Sequence, residues 1–215
     1  MSIFKESFPD FIKKEIKERQ DRLSDPSKRH ELVPYQATRN SFIRMTSAVI
    51  VEGDEDLAKK YVLQGGTLEY KDKLKQGIGA DSTNSYSLFT PSGTSHDRGL
   101  RPMPGITGMT AETKTAYGSL MEATVNFVCW DIKQLEDLEL LFMRPGYTVL
   151  LEWGWVSKGK IPEYYDILSK DDLDFNKVNK ELYDKCIKNQ GNYEALLGYV
   201  KNYQWVARPD GGYDC

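Results

Sequence analysis

Histidine and cysteine are scarce in this chain. His30 and His96 are its only histidines, which leaves few candidates for imidazole acid–base or ligand chemistry. Three cysteines, Cys129, Cys186 and Cys215, are an odd number at unrelated spacings, so neither a disulfide framework nor a zinc motif follows. No apolar run reaches the roughly 18 residues that mark a transmembrane helix. The opening stretch MSIFKESFPDFIKK lacks the apolar core of a signal peptide, so synthesis and residence in the cytoplasm are the default. Neither charge sign dominates. With 29 basic and 32 acidic residues the net charge is −3, which argues against a broad electrostatic footprint for nucleic acid.

Motifs that carry chemistry are also missing. QGGTLEYK and GIGADST contain glycines but not the GxxxxGK[ST] spacing that wraps phosphates. Serines in STNSYS and PSGTSHD come without a GxSxG elbow or an SxxK pair. Ser95, His96 and Asp97 are adjacent in sequence, whereas triad members are brought together by the fold, so a solvated loop is the better reading. Asp171, Asp172 and Asp174 lack the EF-hand ligand series and suit the first turn of a helix. Cys129, beside Phe127 on an apolar strand face, reads as core. No catalytic, cofactor-binding or metal-ligating residue is nominated, and no enzyme activity is expected.

What the chain does have is aromatic residues: 13 Tyr, 8 Phe and 4 Trp, many in alternating segments that favour strands. Its 215 residues are enough to bury a real core. The stretch MRPGYTVLLEWGW is the clearest strand. Period two puts Tyr147, Val149, Leu151, Trp153 and Trp155 on one apolar face and Thr148, Leu150, Glu152, Gly154 and Val156 on a mixed one. Gly154 between two tryptophans points to a bulge or a close backbone approach.

Upstream, residues 7–23 read as a helix with Ser7 as N-cap and Pro9 in its first turn. Phe8, Phe11, Ile12, Ile16 and Leu23 form its apolar stripe, suited either to its own domain or to a neighbouring subunit. SFIRMTSAVIVE (41–52) reads as a strand, and DEDLAKKYVLQGG as a short helix ended by Gly65 and Gly66. Residues 76–105 are Gly/Ser/Pro-rich and aperiodic, a long loop. Two strands, GITGMTAETKT and LMEATVNFVCW, follow. Asp131 then caps a helix, with Gln134 completing a capping box, and Ile132, Leu135, Leu138, Leu141 and Phe142 form its buried stripe. The block order is β-β-α-β. A second amphipathic helix runs through Phe175, Val178, Leu182 and Cys186 to Gly191. YEALLGYVKNYQWVA is an alternating run with Tyr199, Tyr203, Trp205 and Ala207 on one face. RPDGG is a turn whose return strand is not evident, so the 215 residues are expected to be the front part of something longer. The expected fold is α+β, divided into an arm and linker (1–36), a β-rich domain (37–160) holding the long loop 76–104, a helical insertion (161–191) and a strand and turn returning to the sheet (192–215).

The block PGITGMTAETKTAYGSLMEATVNFVCWDIKQLEDLELLFMRPGYTVLLEWGW resembles the hub and tube-initiator proteins of bacteriophage tail baseplates. In that group a strand of small and apolar residues leads into a short helix, and a Pro-Gly turn feeds a strand ending in an aromatic-glycine pair. The matching positions are Ala123 to Trp130, Asp131 to Met143, Pro145-Gly146 and Trp153-Gly154. FPDFIKKEIKERQ, YVLQGGTL and WVARPDGGYDC also look like parts of such proteins. The 76–103 loop and the 160–190 insertion depart from the simplest hub pattern.

The resemblance implies a β-barrel-like hub or tube domain whose copies join side by side into a ring that helps start the tail tube. It implies no enzyme activity and no cofactor. The partners would be copies of itself and other tail proteins, without sequence-specific nucleic-acid binding or membrane insertion, and the location the virion tail after synthesis in the host cytoplasm. Phe8, Phe11, Ile12, Ile16, Leu23, Trp153 and Trp155 are the candidate interface residues, because ring proteins satisfy sheet edges with a neighbour. The competing expectations are a tail-associated cell-wall hydrolase and, from the aromatic content, a carbohydrate-binding module.

Overall fold

Period-two alternation is realised in one large curled sheet. The computed structural model describes residues 9–27, 39–54, 57–67, 89–91, 100–102, 104–115, 120–156, 161–168 and 174–215. Its strands are β1 (Ser41–Ser47), β2 (Leu63–Gly66), β3 (Phe89–Pro91), β4 (Leu100–Pro102), β5 (Gly105–Thr113), β6 (Met121–Cys129), β7 (Thr148–Trp155), β8 (Tyr193–Tyr199), β9 (Val206–Ala207) and β10 (Tyr213–Asp214). The helices are α1 (Asp10–Ser24), the single turn α2 (Leu57–Lys60), α3 (Ile132–Phe142) and α4 (Phe175–Lys188). β3 and β4 form a small separate pair, and the other eight strands run in the order β8-β7-β1-β2-β5-β6-β10-β9. The fold is α+β with a half-barrel sheet, and β5-β6-α3-β7 is the β-β-α-β block.

The curl follows from chain length. β8 and β9 lie at opposite edges of the sheet, yet only residues 200–205 separate them. Seven strand spacings in a flat sheet would cover about 34 Å. Seven extended steps from Tyr199 to Val206 reach at most about 25 Å. The sheet must therefore bend so that this strap can cross, and Lys201 Nζ meets Glu122 Oε1 of β6 at 3.1 Å on the way.

Both faces of the β8-β7-β1 end are covered. Met45, Leu63, Ile106, Phe127, Cys129 and Leu151 face α3, which contributes Leu135, Leu138, Leu141 and Phe142. Val149 and Trp153 pack against this same core, as the apolar face of VLLEWGW predicts. The mixed face is buried too. Phe42, Leu150 and Tyr193 lie under Val178 and Leu182 of α4 and Ile167 of the segment before it. β7 pairs with β1 on one side and β8 on the other, which makes it an inner strand.

The α3 cap forms as expected. Asp131 accepts a hydrogen bond from the Gln134 backbone N–H at 2.8 Å, while Gln134 Oε1 reaches back to the Trp130 N–H at 2.8 Å. Asp131→Ala should lower the free energy of unfolding by about 1 kcal/mol in a urea titration of the full chain. Asp174 caps α4 similarly, accepting from the N–H groups of Asn176 and Lys177.

Several expectations need correction. Gly65 and Gly66 end no helix; they lie in β2. There β1 and β5 press close: a Cβ on Gly65 would lie 2.6 Å from the Ile106 carbonyl oxygen, so only glycine fits. β1 stops at Ser47, short of Glu52. Ile132 is 53% exposed, because the first residue of α3 points away from the sheet. In YEALLGYVKNYQWVA the strand ends at Tyr199, since the next six residues are spent crossing the sheet. The RPDGG turn does have a return strand, β10, paired with both β9 and β6. Pro9 takes the N-cap position of α1, and β3 and β4 lie within the stretch read as an aperiodic loop. Ser7, Phe8, His30, Ser95, His96, Asp97, Asp171 and Asp172 lie outside the described residues.

Candidate functional site

The apolar stripe of α1 is divided between two roles. The Phe11 ring sits on the turn between α4 and β8, where a Cβ on Gly191 would come within 2.9 Å of it. Phe11 and Ile12 are half-buried, while Ile16 and Leu23 are 45% and 56% exposed. The inner end of the arm is thus held by its own chain, while Ile16 and Leu23 are largely exposed. Trp153 packs against the central core, whereas Trp155, at the end of β7, is 46% exposed. Ile16, Leu23 and Trp155 are the nominated residues that face outward, and Phe8 is outside the described residues.

A second open surface comes from β5 and β6. Their ladder runs from Gly105↔Val128 to Thr113↔Met121. On its outer sides, β5 is in register with β2 at Gly105, and β6 is paired with the β9–β10 hairpin at Phe127, Val128 and Cys129. Among the described residues, no strand pairs with the outer edges of Thr107–Thr113 or Met121–Asn126. This half of the ribbon is largely exposed on its faces as well, at Thr110, Ala111, Glu112, Met121 and Thr124. The strap beside it and the strand ends that it joins carry exposed Tyr199, Tyr203, Trp205 and Val206. Trp205 meets Tyr213 edge-to-face at 5.5 Å, and Tyr199 stacks on Phe175 at 5.4 Å.

Beneath the α4 layer lies a charged cluster that sequence reasoning missed. Arg44 and Glu152 are direct partners in the β1–β7 register, and both are buried. Glu152 Oε1 accepts from Tyr193 Oη at 2.8 Å, Lys185 Nζ at 3.2 Å and Arg44 Nη2 at 3.4 Å. Arg44 Nη2 also donates to the carbonyls of Pro162 (2.9 Å) and Glu163 (3.3 Å), and its guanidinium lies 5.1 Å from the Phe42 ring centre. Lys185 stands 4.5 Å from the Tyr193 ring centre. The Glu152 carboxylate thus ties together β1, β7, β8 and α4, and Arg44 adds the 161–168 segment. The visible signal was a single charge of each sign within two otherwise apolar strands, SFIRMTS and TVLLEWGW. With Glu152 fully buried, this cluster ties the layers of the fold together.

Burial and the Glu152 charge push the Tyr193 hydroxyl well above its ordinary range. Burial raises Tyr61 too, aided by Asp137, whose Oδ2 accepts from its hydroxyl at 2.9 Å. Burial likewise raises Tyr164. Lys185 is lowered, by burial first and by Arg44, against the upward pull of Glu152. The tyrosine shifts set an alkaline limit. A folded-state value above the unfolded one means that the native chain keeps protons the unfolded chain has lost. Stability from these three groups is complete below about pH 10 and is lost as pH rises beyond it. Lys185 acts oppositely below its ordinary value, so urea midpoints should fall steeply only above about pH 10.

Among the described residues, no three His, Cys, Asp or Glu side chains converge to hold a metal ion, and no helix is long and apolar enough to cross a membrane. No family model, curated protein or solved structure matches this chain.

Proposed function

We propose that this chain is a structural component of a bacteriophage tail, of baseplate-hub or tube-initiator type, whose copies close into a ring that supports tail assembly and genome delivery. The observation that carries this reading is the β5–β6 ribbon, whose outer edges at Thr107–Thr113 and Met121–Asn126 pair with no strand among the described residues. Open edges of this length recruit strands from other chains unless they are managed, and a ring lets each copy manage its neighbour's. Outward-facing Trp155, Ile16 and Leu23 supply apolar area for the same contact. In this reading the protein resides in the virion tail, is made in the host cytoplasm, performs no catalytic step and uses no cofactor.

Quantitative mass spectrometry of purified particles tests it. About three, six or twelve copies per particle fit a closed ring. Hundreds of copies would move the chain to the shell or the repeating tail body, and absence from the particle would refute the structural role. The ribbon itself is tested with Thr124→Lys, an exposed change that should leave stability within about 0.5 kcal/mol. In native mass spectrometry this variant should shift closed oligomers toward monomer, and unchanged oligomers would remove the ribbon from the contact.

Exposed Tyr199, Tyr203 and Trp205 favour a second reading, a carbohydrate-binding module. Saccharide binding on an array, lost in Trp205→Ala, would support it over the ring.

A further inference from the structure

The described cysteines are reduced, but two of them are neighbours. β10 pairs with β6 through Tyr213↔Cys129 and Asp214↔Val128. The ladder continues one residue further, because Cys215 and Phe127 exchange both backbone hydrogen bonds at 2.9 Å. Cys215 therefore lies diagonally across from Cys129, two positions along and on the same side of the sheet. Both side chains join the core beneath α3. That shared face puts the two side chains in one core cluster. Cys186 sits on α4 in the opposite layer.

We propose that Cys129 and Cys215 are a disulfide-forming pair, and that their oxidation by a low-molecular-weight disulfide fastens the β9–β10 hairpin to β6. The two thiols are not equivalent. Cys129 is fully buried, and its thiol is pushed up by its bond to Cys215 and by burial. Cys215 is half-buried, and the hydrogen bond it receives from Cys129 favours its thiolate and lowers it. Attack by the more exposed, more ionised sulfur comes first. The Cys215 thiolate displaces one thiolate from the small disulfide and forms a mixed disulfide. Cys129 then gives up its proton, attacks the Cys215 sulfur and expels the second thiolate. Two protein thiols and one disulfide become one protein disulfide and two small thiols. Diagonal positions on neighbouring strands lie about 7–8 Å apart, at the limit of disulfide reach, so closure must shift Cys215 along β6 toward Cys129.

The new bond closes a long stretch of chain, from the end of β6 through α3, β7, α4, β8 and the strap. It locks the hairpin that receives the strap, and so resists opening of the curled sheet. The test is to incubate the folded full chain with oxidised glutathione at mildly alkaline pH, quench with acid and map the digest without reduction. The expected product is a peptide pair joining Cys129 to Cys215, with Cys186 still alkylatable and a thermal midpoint several degrees above that of the reduced protein. Cys129→Ala should halt at a single glutathione adduct on Cys215, and Cys215→Ser should leave Cys129 unmodified. A wild-type chain that halts at the adduct, links Cys186 instead, or melts at the same temperature in both states overturns the proposal.

Discussion

Glu152→Ala should cost the fold about 3–5 kcal/mol, the range seen when one partner of a buried charge set is removed. The carboxylate is fully buried, and one of its oxygens takes all three donors from Tyr193, Lys185 and Arg44. Without it, two cations share a dry layer, and the Tyr193 hydroxyl loses its acceptor. Glu152→Gln keeps the shape but not the charge. It also places an amide N–H₂ where Oε2 now stands, a buried position without a hydrogen-bond partner among the described residues, so it should also destabilise. The informative contrast is the triple replacement Arg44→Met, Glu152→Leu and Lys185→Met. Exchanging a whole buried ion set for packed apolar groups is often neutral or stabilising, so this variant should recover most of the loss. Urea unfolding of all three variants, followed by tryptophan fluorescence, checks the order. A loss below about 0.5 kcal/mol in Glu152→Ala, the size of an ordinary surface change, would mean that the cluster is hydrated in solution.

The second large effect is expected at Gly154. A Cβ there would lie 2.1 Å from the Asn192 carbonyl oxygen, 2.9 Å from its carbon and 3.1 Å from the Phe42 ring. The Asn192 carbonyl cannot simply retreat, because it accepts the Trp155 backbone N–H at 2.9 Å where β8 begins. Gly154→Ala must therefore separate β7 from the start of β8, at a cost of about 2–4 kcal/mol. Gly198 on β8 is the matched control: nothing lies within 4 Å of the Cβ it would gain. Gly198→Ala should change stability by less than about 0.5 kcal/mol. Equal thermal midpoints for the two alanine variants would contradict the close approach.

Gly154 also shows which parts of the fold local pattern can reveal. A glycine between two tryptophans in a strong strand already suggested that another backbone comes near, and Asn192 is that backbone. The Asp131–Gln134 cap and the apolar stripe from Leu135 to Phe142 were legible for the same reason: each depends on neighbours within a few residues. Glu152 was passed over because its meaning depends on Arg44, 108 residues away. Gly65 and Gly66 looked like a helix end until β1 and β5 closed on either side. The run from Tyr193 to Ala207 reads as one alternating strand, but β8 ends at Tyr199, because β8 and β9 belong to opposite edges and residues 200–205 are spent connecting them. The packing of the α1 stripe was half legible. An apolar stripe shows that a helix will dock, but it does not show that Phe11 would find Gly191 while Ile16 and Leu23 stayed outside.

The Arg44–Glu152 register also acts as a parity check on assembly of the sheet. β1 and β7 are rich in apolar residues on both faces, so hydrophobicity alone distinguishes poorly between the native pairing and one displaced by a single residue. Such a displacement turns every side chain of the strand to the opposite face. If β1 slipped, Arg44 would enter the apolar layer beneath α3, and Glu152 would be left opposite Ile43 or Met45 with no guanidinium in reach. An even displacement keeps the faces but still parts the charges. Two oppositely charged residues in two apolar strands thus reject both kinds of error, which a smoother hydrophobic surface would have tolerated.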